Sequence, residues 1–393
     1  MRRGGDRPPP QPGSLTELDA GAPPVGGRPA IVHDWFQGFH GAERTVEAMR
    51  TGVFAPGSEP DILTFHAARE LLPPGLARAI VRESRLATLP GVRQRGHDPG
   101  RWRWLLPAMP YWFRRLDLSA YDVVVSSSHA FAVQARPRPD ALHVCYCYTP
   151  LRYVWLPGTD PRSSRRLQDV PLRALRGRLR RLDLEASARP HGYAAISSAV
   201  AERVRRFYGR EAAVIHPPVD VEGFDPVAEK EAGRFLWVHR LVEYKRPELV
   251  AEAFRELPYN LTMVGVGPLE ARLRRSLPPN VELLGWVSQA ELAALMARAC
   301  GFIHVGEEDF GITMVEALAS GTPVVALARG GARDVVRDGV DGVLLEQAEL
   351  GALCAAVRRL AEERWDAGEL AAGAQRFSRE VFVRRMREYL ASF

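Results

Sequence analysis

The chain has 393 residues, 46% of them hydrophobic, and a formal net charge of +6. That length suits about two domains with sizeable cores. No apolar run approaches the roughly 20 residues of a membrane-spanning helix. The opening "MRRGGDRPPPQPG" has arginines with no apolar stretch behind them, which argues against a secretory or twin-arginine signal.

Cys145, Cys147, Cys300 and Cys354 form no metal-ligand pattern and read as free thiols of a reducing cytoplasm. Of the 53 basic residues only Lys230 and Lys245 are lysines, so a lysine near a candidate site is worth noting. The basic excess suits a solvated surface, a membrane surface or an anionic substrate. No helix-turn-helix, zinc-finger or RNP pattern is present, so nucleic acid is not an expected partner.

Residues 1–28 are rich in Pro, Gly and Arg and read as a disordered tail. Short apolar strands then alternate with amphipathic helices. "AIVH" (30–33) leads through the loop "DWFQGFHG" into the helix "AERTVEAM". Further strands are "DILTF" (61–65), "DVVVSSS" (122–128), "LHVCYCYT" (142–149), "YAAISS" (193–198) and "AAVIHPPV" (212–219). "HPPVDVEGFDPVAEKEAGR" (216–234) has prolines and charges without apolar periodicity and reads as a linker. The alternation restarts with "FLWVHRL" and runs through "NLTMVGVG", "VELLGWV", "GFIHV" and "PVVAL". This predicts an α/β chain of two doubly wound parallel sheets, residues 29–218 and 235–376, joined by a linker at 219–234 and followed by a last helix at 377–393. Ligands of such sheets sit beyond the carboxyl ends of strands, so the strand-to-helix loops hold the candidate chemistry.

Two of those loops carry charge. In "GFIHVGEEDFGITMVEALASG", Glu307, Glu308 and Asp309 follow a strand and Glu316 lies in the next helix. Thr313 and Glu316 fit a capping box, which would satisfy helix N-terminal donors; the three acids alone would be a solvated loop. Taken together, Glu308 and Glu316 can face a cleft beside the free N–H groups of Gly311 and Ile312, a mixture suited to a phosphorylated, hydroxyl-rich ligand. In "HRLVEYKRPELV", Arg240 and Lys245 lie near a helix that begins at Pro247. Cations there oppose the helix dipole unless an anion, such as a diphosphate, sits between them. The glycines of "MVGVGP", "RGGARD" and "GFHGAE" mark close backbone approach, without a dinucleotide or Walker fingerprint. There is no Asp-x-Asp pair to hold a metal-bound diphosphate.

"EEDFGITMVEALASGTPVVA" with "HRLVEYKRPELV" resembles the retaining glycosyltransferases of family 4, which have the GT-B fold. "SSSHA", "HVCYCYTPLRYVW", "FYGREAAVIHPPVD" and "GWVS" resemble the branch containing O-antigen mannosyltransferases. The resemblance covers about residues 30–393. It implies that Glu308 contacts the sugar of a nucleotide-sugar donor, that Glu316 holds the ribose, and that Arg240 and Lys245 neutralise the diphosphate. Backbone at Phe310, Gly311 and Ile312 would touch sugar and phosphate. Gly41 would close on the diphosphate from the other domain, His129 would line the sugar site, and the last helix would cross back to the first domain. No cofactor or metal is implied. The partners are a nucleotide sugar, GDP-mannose by resemblance, and a hydroxyl acceptor.

Three positions depart from that branch: Tyr148 stands where a histidine is common, Gly41-Ala42 replaces a double glycine, and Thr313 replaces a frequent proline. The basic stretch 162–189, with Leu167, Val170, Leu172, Leu175, Leu179, Leu182 and Leu184 between arginines, reads as a core-packed amphipathic helix or as a contact for anionic lipid. A lipid-linked acceptor and peripheral contact with the inner face of the cell membrane are compatible with the second option. A sugar-nucleotide epimerase and a non-catalytic nucleotide-sugar-binding subunit are the alternatives.

Overall fold

The computed structural model describes residues 25–89, 102–156, 175–226 and 229–393. Two parallel sheets organise them. The first contains β1 (Pro29–His33), β2 (Asp61–Thr64), β3 (Ile80–Arg82), β4 (Val123–Ser128), β5 (Leu142–Cys147), β6 (Gly192–Ala195) and β7 (Ala213–Val214), in the order β3-β2-β1-β4-β5-β6-β7. The second contains β8 (Glu231–Val238), β9 (Asn260–Val264), β10 (Val281–Gly285), β11 (Ala299–His304), β12 (Val324–Leu327) and β13 (Gly342–Leu345), in the order β10-β9-β8-β11-β12-β13. The central strands are apolar along most of their length because helices cover both faces. β4 is buried at all six positions, and its serines are paired: Ser126 Oγ lies 2.8 Å from His143 Nε2 and Ser127 Oγ 3.0 Å from the Tyr148 hydroxyl.

Strand order reverses between β1 and β4 and again between β8 and β11. At such a reversal, successive connections leave for opposite faces and open a crevice. The ends of β1 and β4 present His33, Asp34 and His129. The ends of β8 and β11 present His239, Arg240 and the acidic loop.

The last helix (Arg379–Ala391) is capped by Ser378, whose side chain accepts from Val381 N. It lies on the first sheet's layer: Arg387 Nε donates to Gly52 O at 2.9 Å and the Tyr389 hydroxyl to Tyr193 O at 2.9 Å.

Some boundaries differ from expectation. β3 and β13 were not anticipated; β3 buries only Ile80, leaving Val81 and Arg82 exposed, so no apolar pattern marks it. Residues Glu231–Arg234, expected in the linker, open β8, where Arg234 pairs with Asn260. They carry no apolar run because that end of the strand is exposed or half-buried. Residues 1–24 of the expected tail lie outside the described residues. Val25 is tied down by Val53 O at 3.3 Å, and Arg28 N by Asp122 Oδ2 at 2.7 Å. Leu167, Val170 and Leu172 also lie outside the described residues. The helix Arg176–Ser187 buries Leu179, Asp183 and Ala186, while Leu175 and Leu184, expected on its apolar stripe, are exposed.

Candidate functional site

A cavity of about 690 Å³ lies between the two domains. The first domain lines it with Gly41, Ala42, Tyr148 and Arg152. The second lines it with Arg240, Lys245, Glu307, Glu308, Asp309, Phe310, Gly311, Ile312 and Thr313. Seven of the nine expected site residues therefore line one cavity; His129 and Glu316 do not.

The acidic loop is not a solvated loop. Glu308 forms an isolated bridge with Gly330, so the backbone there is extended and side chains alternate. Glu308 turns toward its own domain and bonds Lys245 Nζ. Asp309 turns the other way, onto Arg152 and Arg203. Gly330 and Gly331 are glycines because a Cβ would lie 2.0 Å from Glu308 O and 2.3 Å from Phe310 Cα. The close approach read from "RGGARD" is thus backbone against backbone, and it fixes the acidic loop from behind.

Lys245 is almost fully buried, with 3% of its side chain exposed, while Glu308 keeps 29%. Burial pulls the ammonium pKa down, and the Glu308 charge opposes that. For Glu308 burial works against ionisation, but Lys245 and His304 outweigh it and hold the carboxyl below its usual range. His304 Nε2 lies 3.8 Å from Glu308, and its ring sits 4.5 Å from that of His239. Burial drives His304 down to about 4 and His239 well below its usual value, so both are neutral near pH 7. Arg240 is exposed on the cavity wall.

The capping box expected at Thr313 and Glu316 is absent. The helix Ile312–Ala319 has Gly311 as its N-cap, at φ +98°, with no side-chain cap. Thr313 is then the second helical residue, and its buried hydroxyl has no protein partner. Gly311, Ile312 and Thr313 line the cavity, so the uncapped start of this helix offers it N–H groups with no side-chain acceptor, as an anion site requires. Glu316 sits a turn further on; burial raises its pKa to about 7, opposed by Arg44. The Phe310 ring packs against His216 and Phe377, each at 5.5 Å between centroids, so only its backbone can serve the cavity.

From the first domain, Gly41 opens the helix Gly41–Gly52, and a Cβ there would stand 2.6 Å from Ile312 Cδ1 across the cleft. His129 lies behind that wall. Its ring is 4.5 Å from Trp35, and burial lowers its pKa to about 4. Its position is set by Asp34, a fully buried carboxylate that the sequence did not single out. Asp34 accepts the backbone N–H of His129 (2.7 Å), Ala130 (2.9 Å), Phe131 (2.5 Å) and Ala132 (2.7 Å). Arg152 and Arg203 escaped too, because their partner lies in the other half of the chain. The acid in "HDW" at a strand end was the signal available for Asp34, and "PLRYVW" for Arg152. Among the described residues no cluster of His, Cys, Asp and Glu is arranged to hold a metal.

Residues 39–222 match the family model Glycosyltransferase Family 4, and residues 220–379 match Glycosyl transferases group 1. Each half of the chain thus matches a glycosyltransferase family model, and the two-domain architecture is GT-B. The GT-B architecture is shared with HepE from Anabaena, solved in complex with UDP (TM-score 0.65, 19% identity, covering 93% of this chain and 100% of that one). It is also shared with sucrose-phosphate synthase from Thermosynechococcus elongatus (TM-score 0.65, 16% identity, 93% and 100% covered). At those identities the likeness concerns the fold alone. A curated relative, D-inositol 3-phosphate glycosyltransferase of Geodermatophilus obscurus, is 33% identical over 204 residues, 42% of this chain and 43% of the relative. The same-named protein of Mycobacterium tuberculosis strain F11 is 33% identical over 170 residues, 37% of this chain and 35% of the relative. The aligned region thus spans less than half the length of these relatives. In GT-B terms, the cavity is the interdomain cleft, and Lys245, Glu308 and the uncapped helix sit on its second-domain side.

Proposed function

We propose that the chain transfers a sugar from a nucleoside-diphosphate donor to a hydroxyl acceptor, with retention of anomeric configuration. The observation that carries this is the second-domain wall: Arg240, Lys245, Glu308 and uncapped helix N–H groups meet in one interdomain cavity. Such a wall offers positive charge to a leaving diphosphate and a carboxylate to sugar hydroxyls, and fixed charges of this kind lower a barrier by preorganisation. In this scheme a diphosphate takes over the charge that Lys245 now shares with Glu308, and Glu308 is released to the sugar. The cations and amides act without a metal. Glu316, on the helix Ile312–Ala319 behind the cavity lining and near Arg44, is the residue that the resemblance assigns to the ribose.

The donor is GDP-mannose by resemblance. A uridine donor is the second reading, since HepE was solved with UDP. The names of the curated relatives favour a polyol phosphate acceptor. The exposed Arg176, Arg178 and Arg181 would add peripheral contact with an anionic membrane on the cytoplasmic side. No helix among the described residues is long and apolar enough to cross one.

The test is a panel of GDP-mannose, UDP-glucose, UDP-galactose and UDP-N-acetylglucosamine, with and without a lipid extract or inositol phosphate, in excess EDTA. Acceptor-dependent transfer supports the proposal. Isomerisation without acceptor would make the protein an epimerase, and binding without turnover would make it a non-catalytic subunit. Activity lost in EDTA and restored by magnesium would remove the cationic clamp as leaving-group stabiliser.

A further inference from the structure

The acids of the loop after β11 are paired with cations from both domains. Lys245, on Glu308, belongs to the second. Arg152 opens the helix Arg152–Trp155 behind β5, and Arg203 lies on the helix Ser198–Tyr208 behind β6. Arg152 bonds Asp309 Oδ2 and Arg203 bonds Asp309 Oδ1, so each carboxylate oxygen takes one guanidinium from across the cleft. Glu307 Oε1 adds a contact to Arg203 at 3.5 Å.

We infer that Asp309, held by Arg152 and Arg203, is an ionic latch that closes the cleft and positions Glu308. Among the described residues both ion pairs of Asp309 are with the first domain. Separating the domains would strip its carboxylate of both partners, while the Lys245–Glu308 pair, lying wholly within the second domain, would survive. The latch and the donor clamp are therefore separable. They are also coupled, because residues 308 and 309 share a peptide bond in a strand-like loop pinned by Gly330. The Arg203 and Asp309 side chains are each 16% exposed and Arg152 is 36% exposed. At that depth the pairs are stronger than surface ion pairs yet still open to salt. Asp309 and its two arginines are positioning residues.

The positioning role rests on the transferase reading; the closure does not, and the experiment separates them. The radius of gyration of the full chain is measured by small-angle X-ray scattering from about 0.01 M to about 1 M salt, over which the screening length falls from about 30 Å to about 3 Å. Wild type should expand with salt. Asp309→Asn should be expanded already at low salt and lose most of the salt response. Its affinity for UDP or GDP should stay within about twofold of wild type, while kcat/KM falls about tenfold or more, the scale of a coupled pair. Arg203→Gln should shift both readouts in the same direction, and the double variant should be no worse than Asp309→Asn alone. If Asp309→Asn does not fold, Arg203→Gln, which leaves Arg152 in place, carries the same comparison. A wild-type radius and salt response in both variants, or fully additive losses in the double variant, would overturn the latch. Expansion in the variants of a protein that transfers no sugar would sink the transferase reading and leave the latch standing.

Discussion

The Tyr148 hydroxyl donates to Ala42 O at 3.1 Å, joining residues 106 apart in the chain. It also lies 3.0 Å from Ser127 Oγ. Two of the three positions that depart from the resembled branch are therefore in direct contact, and the third, Thr313, lines the same cavity. Tyr148 anchors the first turn of the helix that begins at Gly41. Tyr148→Phe should loosen that turn by about 1 kcal/mol, the usual net value of one hydrogen bond. The expected result is a raised donor KM with kcat little changed. An unchanged KM would show that the loop is held without the hydroxyl.

Glu308→Gln should abolish most transfer and also expose the cost of a buried ammonium. Lys245 is only 2% exposed, and removing one partner of a buried pair typically costs about 3–5 kcal/mol. The half-open position of Glu308 makes that an upper bound. The variant should melt lower than wild type and gain more from added UDP or GDP, because a diphosphate restores the missing counter-charge. Equal ligand-induced shifts in variant and wild type would contradict a Lys245 role at the diphosphate.

Asp34→Asn replaces a four-fold acceptor with a side chain that has one oxygen. The NH₂ group cannot accept, so up to two of the N–H groups at residues 129–132 lose their partner. The loss should be about 1–3 kcal/mol for each orphaned donor. Denaturant unfolding and amide exchange at residues 129–132 would measure it. Wild-type protection of those amides would refute the anchoring role.

Asp183 gives a stability slope of defined sign. It is fully buried; its Oδ2 accepts from Trp155 Nε1 at 2.7 Å and the Tyr208 hydroxyl at 2.8 Å, and burial raises its pKa to about 7 from 3.8. Between those two values the folded protein binds a proton that the unfolded chain has released. Stability from this group is thus complete below pH about 4 and is lost as pH rises through about 7. Across that window each step of one in pH removes about 1.4 kcal/mol. Asp183→Asn should flatten that part of the stability profile, measured by urea unfolding at several pH values. A slope unchanged in the variant would assign it to another group.

Much of the second-domain cavity wall was legible because its signals are local. Arg240 and Lys245 lie five residues apart, and Glu308 with Gly311 fall within one loop. The sheets were legible wherever strands are buried on both faces. What escaped the sequence depends on distance along the chain. Asp34 meets its amides 95–98 residues away, and Arg152 meets Asp309 157 residues away. No period or spacing announces such pairs. The capping box failed for a finer reason: Thr-x-x-Glu fits the pattern, but Gly311 takes the left-handed turn first and starts the helix one residue before Thr313. β3 is too short and too exposed to stand out, and the four residues of β13 are too few to show a period between the charged segments that flank them.

The helix Arg379–Ala391 sets the order in which the protein can be completed during synthesis. Arg379 bonds Thr51, and Arg387 bonds Gly52, across 328 and 335 residues. A Cβ on Gly192 would collide with the Tyr389 hydroxyl at 2.3 Å, so the fit there is tight as well. The amino-terminal half leaves the ribosome first, but it must wait with part of its surface bare until residues 379–391 emerge. At about 5–20 residues per second, that wait lasts on the order of ten seconds or more. Through that interval the surface at Gly52 and Gly192 that this helix covers stays open to a chaperone.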